Sequence, residues 1–274
     1  MVRRLLRHRR LHACLCPALV VLALSVCALP IGAQQSEGRL AFEAFDTWRT
    51  LPAHASLSWD DTLRRYREHL LALGLSPDRA DRTLRLALAH DEGVLYDRAY
   101  AGPPKFRTEP NRLLVDATNG VTPGKALDVG MGQGRNALFL ARQGWQVTGF
   151  DVSAVGLAKA RSAAAAQGLS IRGVLASDEE FAFGSNEWDL IAILYAIEKR
   201  SVFRVRTALR PDGLVVVEAA HRDASGAEWE FRSNELLEIF EGFTILKYEE
   251  TVGDYDWAPG KPIRMVRLVA RKPR

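Results

Sequence analysis

The residues best suited to chemistry are the glycine-rich stretch of residues 128–134, with the sequence DVGMGQG, and the carboxylate of Asp151 further along the chain. Glycines that alternate in this way let the backbone bend tightly and approach a ligand, and the start of the helix that follows offers free N–H groups. An acid at the end of the next strand is placed to accept hydrogen bonds from ribose hydroxyls. The pattern predicts a site for an adenosine-containing cofactor, with a tight turn that binds nothing as the alternative.

The spacing of the glycines distinguishes between two kinds of cofactor. A dinucleotide fingerprint, G-x-G-x-x-G, would need a glycine at position 135, where this chain has Arg135. The carboxylate of Asp128 would also repel a pyrophosphate. S-adenosylmethionine carries no phosphate, and its ammonium and sulfonium groups favour a nearby anion. The residues therefore favour S-adenosylmethionine over a nicotinamide dinucleotide.

The elements that would position these residues alternate between strand and helix from about residue 108 onward. A short helix is expected from Pro110 to Thr118. Strands are predicted at residues 126–129, 146–150, 171–175, 189–194, 214–218, 244–248 and 263–271, and helices at 135–143, 153–167 and from Ser233 to near Gly242. The last two strands are spaced as a hairpin. The predicted fold is α/β: a seven-stranded, mostly parallel, Rossmann-like sheet with an antiparallel C-terminal hairpin.

Ligands of such sheets bind beyond the carboxyl ends of the strands. That edge would bring together the glycines of residues 130–134, Asp151, Asp178 and the pair Leu194-Tyr195. The remaining helical part of the chain, residues 36–95, is predicted to be a small N-terminal extension. In it, Ser58 is expected to cap one helix, and Ser76-Pro77 to begin a second that Gly93 closes.

The first residues predict a targeting segment. Five arginines lie within the first ten residues, and an apolar run follows from Ala13 to Ala33. This pattern is typical of a secretory signal peptide, with cleavage expected after Ala33, or of a membrane anchor formed by residues 13–33 if the segment is not cleaved. The protein would then be exported, as a periplasmic or membrane-anchored protein. A wrongly assigned start codon, which would leave a cytoplasmic protein, is the alternative.

Composition narrows the chemistry and the partners. All three cysteines, Cys14, Cys16 and Cys27, lie in the targeting segment, which excludes disulfides, thiolate catalysis and cysteine–zinc sites from the rest of the chain. No metal site is predicted. The net charge is +4, and the five leading arginines contribute +5, so the remainder carries about −1. Nucleic acid is therefore not an expected partner. A small molecule is the expected partner, contact with a membrane is expected only through residues 13–33, and the oligomeric state stays open.

Several further stretches resemble one family. They are residues 96–102 (YDRAYAG), 109–111 (EPN), 134–137 (GRNA) with Leu140-Ala141, 234–237 (NELL), 240–243 (FEGF) and 247–250 (KYEE). Together they resemble the tellurite-resistance branch of the class I S-adenosylmethionine-dependent methyltransferases, over roughly residues 95–274. The resemblance implies a methyltransferase domain at residues 96–274, with S-adenosylmethionine as the cofactor.

The resemblance also implies roles for individual residues. Glycines of the loop would contact the methionine end of the cofactor, and neighbouring acids would hold its ammonium, its ribose and its adenine amino group. In chain order, the implied cofactor residues are Asp128 for the ammonium, Gly130, Gly132 and Gly134 for backbone contact, Asp151 for the ribose, Val152 alongside it, Asp178 for the adenine, Glu179 alongside that, and Leu194 near the methionine moiety.

The acceptor side is less sharply marked. Methyl transfer is an in-line displacement in which positioning matters most, although a hydroxyl or amine acceptor would need a base. Tyr195 and His221 are the candidate catalytic residues, Tyr96 and Tyr100 the candidate lid over the cofactor, and Arg222 a further candidate on the substrate side.

The resemblance implies a basic His-Arg pair between the last two strands, but residues 253–257 read GDYDW, which weighs against an oxyanion acceptor. The expected function is methyl transfer to a small molecule, with a thiol or chalcogen species as one candidate. A non-catalytic S-adenosylmethionine-binding protein and a nicotinamide-dependent oxidoreductase are the alternatives.

Overall fold

The computed structural model describes residues 31–54, 57–102, 106–196, 199–223, 230–255 and 258–274. Residues 1–30 of the predicted targeting segment, which include its three cysteines, lie outside the described residues. The chain divides into two compact units, the first ending at Leu88 and the second beginning at Ala89. Among the helices in the described ranges, none has the length and apolarity needed to cross a membrane.

The first unit contains helices α1 (Ile31–Arg49) and α2 (Trp59–Ala72) and the first part of α3 (Pro77–Ala101). As predicted, Ser58 caps α2, and its side chain accepts a hydrogen bond from the backbone N–H of Asp61. The core of this unit contains Phe45, Tyr66 and Leu86, all at most 2% exposed. Its helices are thus held together by their apolar faces.

The second unit is built around a seven-stranded sheet. Its strands are β1 (Lys125–Val129), β2 (Gln146–Asp151), β3 (Ile171–Leu175), β4 (Trp188–Leu194), β5 (Leu209–Ala220), β6 (Thr244–Tyr255) and β7 (Ala258–Arg271). Its helices, besides the end of α3, are α4 (Arg112–Thr118), α5 (Arg135–Arg142), α6 (Ala154–Ala166), α7 (Lys199–Ala208) and α8 (Glu235–Ile239).

The strands lie in the order β3-β2-β1-β4-β5-β7-β6. The first five in this order pair in parallel, whereas β7 pairs antiparallel with both β5 and β6. Successive residues of β4, Leu190 and Ile191, are both fully buried and belong to separate apolar clusters. Because side chains alternate along a strand, this shows that both faces of the sheet are covered. The predicted α/β sheet with its antiparallel C-terminal hairpin is confirmed.

The course of α3 differs from the prediction. Gly93 does not close this helix, which continues to Ala101. A Cβ atom at Gly93 would lie 2.7 Å from the carbonyl oxygen of Val152, so the absent side chain lets the helix approach another segment closely. The glycine therefore marks a packing contact in the middle of the helix and not its end.

Two other elements also differ. The predicted elements leave residues 195–213 unassigned, whereas the structure has α7 there and begins β5 at Leu209. Helix α7 buries Ser201, Val202, Val205 and Ala208 on one face, while charged residues occupy much of the rest of the helix. Helix α8 begins after Asn234 and not after Ser233, because the hydroxyl of Ser233 bonds instead with Glu250.

A buried polar network joins the segment before β1 to the sheet. Asn111 donates its backbone N–H to Asn136 Oδ1 over 2.9 Å and its Nδ2–H to Glu218 Oε1 over 2.6 Å. Its own Oδ1 caps α4. Glu218 is 3% exposed, and its second oxygen accepts a hydrogen bond from Arg267 on β7. A buried carboxylate is stable only with such donors, so this network fixes α4 and α5 against β5.

Replacing Asn111 with alanine should lower the free energy of unfolding by about 2–4 kcal/mol, because α4 loses its cap and Glu218 loses a buried donor. Urea unfolding followed by circular dichroism would measure the change. The control Arg112→Ala alters a side chain that is 85% exposed, and it should change stability by less than about 0.5 kcal/mol. Equal stability of Asn111→Ala and the wild type would contradict the assigned role of the network.

Candidate functional site

The glycine loop, residues 130–134, follows directly on β1. Gly130 and Gly132 have φ angles of +63° and +51°, which side-chain-bearing residues rarely adopt. A Cβ atom at Gly130 would lie 2.1 Å from Cβ of Ala196, and one at Gly132 would lie 2.1 Å from the hydroxyl oxygen of Tyr100. Both the backbone conformation and the close packing thus require glycine at these positions.

Asp151 ends β2 beside this loop and is 7% exposed. Its Oδ2 accepts a hydrogen bond from the N–H of Gly132 over 2.8 Å, and its Oδ1 accepts one from Ser153 over 2.7 Å. Burial raises the pKa of Asp151, while these two backbone donors lower it. The carboxylate therefore joins the glycine loop to the turn at the start of α6, as parallel pairing of β1 and β2 allows.

Asp128 lies beneath the loop near the end of β1 and is 1% exposed. Burial raises its pKa to about 7, although the nearby charge of Arg135 and a hydrogen bond from the N–H of Ala137 act in the opposite direction. Its Oδ2 is buried and has no hydrogen-bond partner in the described part of the chain. A buried carboxylate oxygen without a donor is costly. This oxygen is therefore well suited to a cationic or hydrogen-bonding ligand group.

Asp178 follows β3 and resembles Asp128 in one respect. Its Oδ2 is likewise buried without a partner among the described residues, while its backbone carbonyl accepts a hydrogen bond from Arg204. The neighbouring Glu179 pairs with the same arginine over 3.5 Å. Ala176 donates its N–H to the carbonyl of Asp151 over 3.1 Å, so the end of β3 lies next to the end of β2.

The last turns of α3 contribute an aromatic cluster. Tyr100 lies with its ring centroid 4.8 Å from that of Phe106 and 6.3 Å from that of Tyr96. Its ring also packs against Gly156, where a Cβ atom would approach Tyr100 Cε2 to 3.0 Å. Burial raises the pKa of both tyrosines. Tyr100 therefore covers the glycine loop, and its role as a lid over a bound cofactor stays a prediction.

Tyr195 is in an unusual conformation at the end of β4. It has a φ angle of +66°, its N–H donates to the carbonyl of Glu218, and its hydroxyl lies 3.6 Å from Sδ of Met265. A left-handed conformation at a non-glycine residue costs free energy and occurs often at functional sites. Leu194, the residue before it, is buried at the strand end. These contacts place Tyr195 at the ends of β4 and β5, beside the middle of β7.

His221 is 3% exposed and forms its hydrogen bonds within the protein. Its Nδ1 accepts from the N–H of Asp223, which in the neutral ring leaves the proton on Nε2, 3.0 Å from Ser233 Oγ. Ser233 in turn donates to Glu250. Burial raises the pKa of Glu250, but hydrogen bonds from Tyr248, Ser233 and other donors outweigh it and lower the pKa to about 2. His221 thus has the contacts of a structural residue, and its catalytic role stays a prediction.

The structure therefore brings Asp128 and Asp151 together at the glycine loop, with Val152 at the start of the turn after β2. Asp178 and Glu179 follow the neighbouring strand β3 and contact Arg204. Arg222 is exposed, and its N–H donates to the carbonyl of Phe231. Of the acidic segment 253–257, predicted as a loop between the last two strands, residues 253–255 instead continue β6, and Asp254 there pairs with Arg107 over 3.4 Å. Residues 256–257 of that segment lie outside the described residues.

One contact at this site was missed by the sequence analysis. Asp97 of α3 accepts hydrogen bonds from the hydroxyl of Ser153 over 2.6 Å and from the N–H of Val155 over 2.9 Å. Gly93, Asp97 and Tyr100 are spaced i, i+4, i+7, which places them on one face of a helix. The sequence would reveal this shared face only if the helix were predicted to continue beyond Gly93.

The comparisons with known proteins agree with this arrangement. Residues 126–213 match a family model described as "Methyltransferase domain". "Hemagglutinin 1" of Eikenella corrodens is 30% identical over 61% of this chain and 60% of that protein. "Ribosomal RNA small subunit methyltransferase C" of Alcanivorax borkumensis is 29% identical over 53% of this chain and 47% of that protein. "Probable S-adenosyl-L-methionine-dependent methyltransferase TehB" of Haemophilus influenzae is 27% identical over 52% of this chain and 53% of that protein.

The solved structure of TehB from Haemophilus influenzae shares the fold, with a TM-score of 0.51 and 24% identity over 58% of this chain and 61% of that one. The chain thus spans about half to three-fifths of the length of the relatives described here. The matched family model indicates a methyltransferase domain at residues 126–213, and with the relatives and the shared fold the chain resembles the tellurite-resistance branch of the class I S-adenosylmethionine-dependent methyltransferases.

Proposed function

We propose that this protein binds S-adenosylmethionine at the glycine loop and catalyses transfer of its methyl group to a small-molecule acceptor. One observation carries the proposal. In the described part of the chain, the two carboxylate oxygens that are buried without a hydrogen-bond partner belong to Asp128 and Asp178. Both residues are among those implied to hold the cofactor, at its ammonium and its adenine amino group. These two unsatisfied acceptors support the proposal, because each could accept a hydrogen bond from the cofactor group assigned to it.

The residues present fit this cofactor. Asp128 would hold the ammonium, Asp151 the ribose and Asp178 the adenine, while the glycine loop gives close access to backbone N–H groups. When bound, S-adenosylmethionine supplies a methyl group on a positively charged sulfur. The chain's own contribution is to hold the donor, to exclude water with the aromatic cover of Tyr100 and Phe106, and to orient the acceptor.

The acceptor that we propose is a small molecule, with a thiol or chalcogen species as the favoured candidate. Such a soft nucleophile needs little general-base help. His221, the nearby base candidate, has both ring nitrogens in hydrogen bonds within the protein. Residues 253–257, where the resemblance implies a basic pair, read GDYDW, which does not suit an oxyanion. The chain after the first ten residues carries about −1 net charge, which does not favour nucleic acid.

Two alternatives follow from the same site. A protein that binds S-adenosylmethionine without transferring methyl groups would keep the same donor contacts. A nicotinamide-dependent oxidoreductase is less well supported, because Arg135 occupies the position of the third fingerprint glycine and donates a hydrogen bond to the carbonyl of Glu109 over 3.0 Å. We also propose that the protein is exported by its first 33 residues. N-terminal sequencing of the mature protein would show a start near Gln34, and an intact N-terminus would exclude cleavage.

Titration calorimetry with S-adenosylmethionine, S-adenosylhomocysteine and NAD tests the proposed function, together with a methyl-release assay on thiol, chalcogen, phenol and RNA acceptors. Binding of both sulfur compounds and turnover with a small acceptor would support it. Binding without turnover on any acceptor class would favour the non-catalytic alternative. Turnover with RNA alone would overturn the small-molecule assignment, and binding of NAD alone would overturn the cofactor assignment.

Replacing Asp151 with alanine should weaken binding of S-adenosylhomocysteine by about 1–3 kcal/mol, or about 5- to 150-fold, because ribose hydroxyls lose a buried acceptor. Calorimetry would measure the change. Asp116→Ala serves as a matched control, because it removes an aspartate side chain that is 55% exposed on α4, and it should bind as the wild type does. Unchanged affinity in Asp151→Ala would show that the ribose assignment is wrong.

Binding should also release protons near neutral pH. Since the pKa of Asp128 is about 7, part of the protein carries a neutral Asp128 before binding, and a neighbouring ammonium favours the charged form. Affinity for S-adenosylhomocysteine should therefore rise as the pH increases from about 6 to about 8. Calorimetry in buffers of different ionisation enthalpy would measure the release. Asp128→Asn should lose it, whereas release that persists in that variant would assign it to another group, such as Asp151.

A further inference from the structure

We propose that Asp97 is a positioning residue of the cofactor site, which holds the turn after β2, and through it Asp151, in the conformation that receives the ribose. This inference rests on the proposed function, since it concerns the same cofactor. It assigns a role to the end of α3, which lies before the matched methyltransferase domain of residues 126–213. It therefore extends the cofactor site beyond that domain.

The connection from Asp97 to Asp151 runs through one residue. Asp97 Oδ1 accepts a hydrogen bond from the hydroxyl of Ser153 over 2.6 Å, and the N–H of Ser153 donates to Asp151 Oδ1 over 2.7 Å. Ser153 is fully buried and has a second task, because its hydroxyl oxygen accepts the N–H of Gly156 and so caps α6. A shift of Ser153 would therefore move a donor of Asp151 and the first turn of α6 together.

Asp97 itself adds a second bond at the same turn. Its Oδ1 accepts the N–H of Val155 over 2.9 Å. The first N–H groups of a helix have no partner within the helix, so each acceptor at this end stabilises the turn. Ser153 satisfies one of these groups and Asp97 another. The start of α6 is thus capped from within the turn and from α3.

Two residues on the same face of α3 as Asp97 pack against the glycine loop and the turn after β2. Gly93 lies against the carbonyl of Val152, and Tyr100 lies against both Gly132 and Gly156. Lys159 of α6 donates to the carbonyl of Tyr100 over 2.5 Å, which closes the contact at the other end. Three positions spaced i, i+4, i+7 therefore meet the glycine loop and the turn after β2. The end of α3 is fitted to these two loops and not to one alone.

Asp97 acts on its surroundings in two ways, by accepting hydrogen bonds and by its negative charge. Burial is the main cause of the raised pKa of Asp151, and the negative charge of Asp97 raises it further. A neutral asparagine or serine could accept the same hydrogen bonds without this repulsion. Asparagine can therefore test whether hydrogen-bond acceptance, and not charge, is what the site requires.

A double-mutant cycle with Asp151 tests the inference, with S-adenosylhomocysteine as the probe and calorimetry as the measurement. Asp97→Ala should weaken binding about 10-fold, and Asp97→Asn should restore most of the affinity. In an Asp151→Asn background, Asp97→Ala should change affinity less than about 2-fold, because the residue through which it acts has already been altered. Asp91→Ala, on the same helix, is the matched control and should bind as the wild type does.

Gly93→Ala provides a second route to the same turn, because the added Cβ must displace the carbonyl of Val152, next to Ser153, while no hydrogen-bonding side chain is removed. It should also weaken binding, which keeps the inference testable if Asp97→Ala folds poorly. Wild-type affinity in both Asp97→Ala and Gly93→Ala would overturn it. So would equal losses in Asp97→Ala and Asp97→Asn, or a full 10-fold loss in the Asp151→Asn background. A wild-type protein that binds no S-adenosylhomocysteine would instead overturn the proposed function, and this inference with it.

Discussion

The hydrogen bond from the N–H of Gly132 to Asp151 is the interaction on which the site depends. It joins the loop after β1 to the end of β2 over 2.8 Å. Parallel pairing of these strands already brings their ends to one edge of the sheet, with Val129 beside Phe150. The hydrogen bond then fixes the loop relative to the acid. It requires glycine at position 132, because the φ angle there is positive and Tyr100 occupies the space of a side chain.

This arrangement concentrates negative charge in a buried place. Asp97, Asp128 and Asp151 lie around the loop, and Arg135 is the cation whose charge acts on Asp128. Burial of several carboxylates is unfavourable unless donors or cations compensate for it. Backbone N–H groups compensate for Asp151, but Asp128 keeps one oxygen without a partner in the described part of the chain. A site with this imbalance is stabilised by a ligand that carries positive charge, which is the physical basis for a sulfonium and ammonium cofactor.

The sequence was sufficient for the sheet because its signals are local. Apolar runs bounded by turn residues located all seven strands, and the glycine loop with Asp151 located the cofactor site. The errors arose where tertiary contacts decide the outcome. Glycine is a residue type typical of a helix end, but Gly93 allows close packing against Val152. Serine is typical of a helix cap, but Ser233 forms a hydrogen bond with Glu250. Helix α7 lies where no element was predicted, although Val202, Val205 and Ala208 recur at helical spacing and are buried.

Asp97 shows the same limit for the site. Nothing in residues 96–102 distinguishes its carboxylate from that of a solvated helix face until α3 is known to continue past Gly93. The partner, Ser153, lies far along the chain, and single-sequence patterns report only neighbours within a few positions. A residue that acts across such a separation becomes visible only when the fold brings its partner to it.

The residues that we propose for the methyl donor and for the methyl acceptor lie at the ends of different strands. The donor side that we propose is formed by the ends of β1, β2 and β3 with the end of α3, where Asp128, Asp151 and Asp178 lie. The acceptor side that we propose lies at the ends of β4 and β5, where Tyr195 is held in a left-handed conformation beside Met265 of β7. Because transfer needs mainly an aligned nucleophile, this side can change its side chains without loss of the donor contacts. The left-handed conformation of Tyr195 supports the role on the acceptor side that we propose for that strand end.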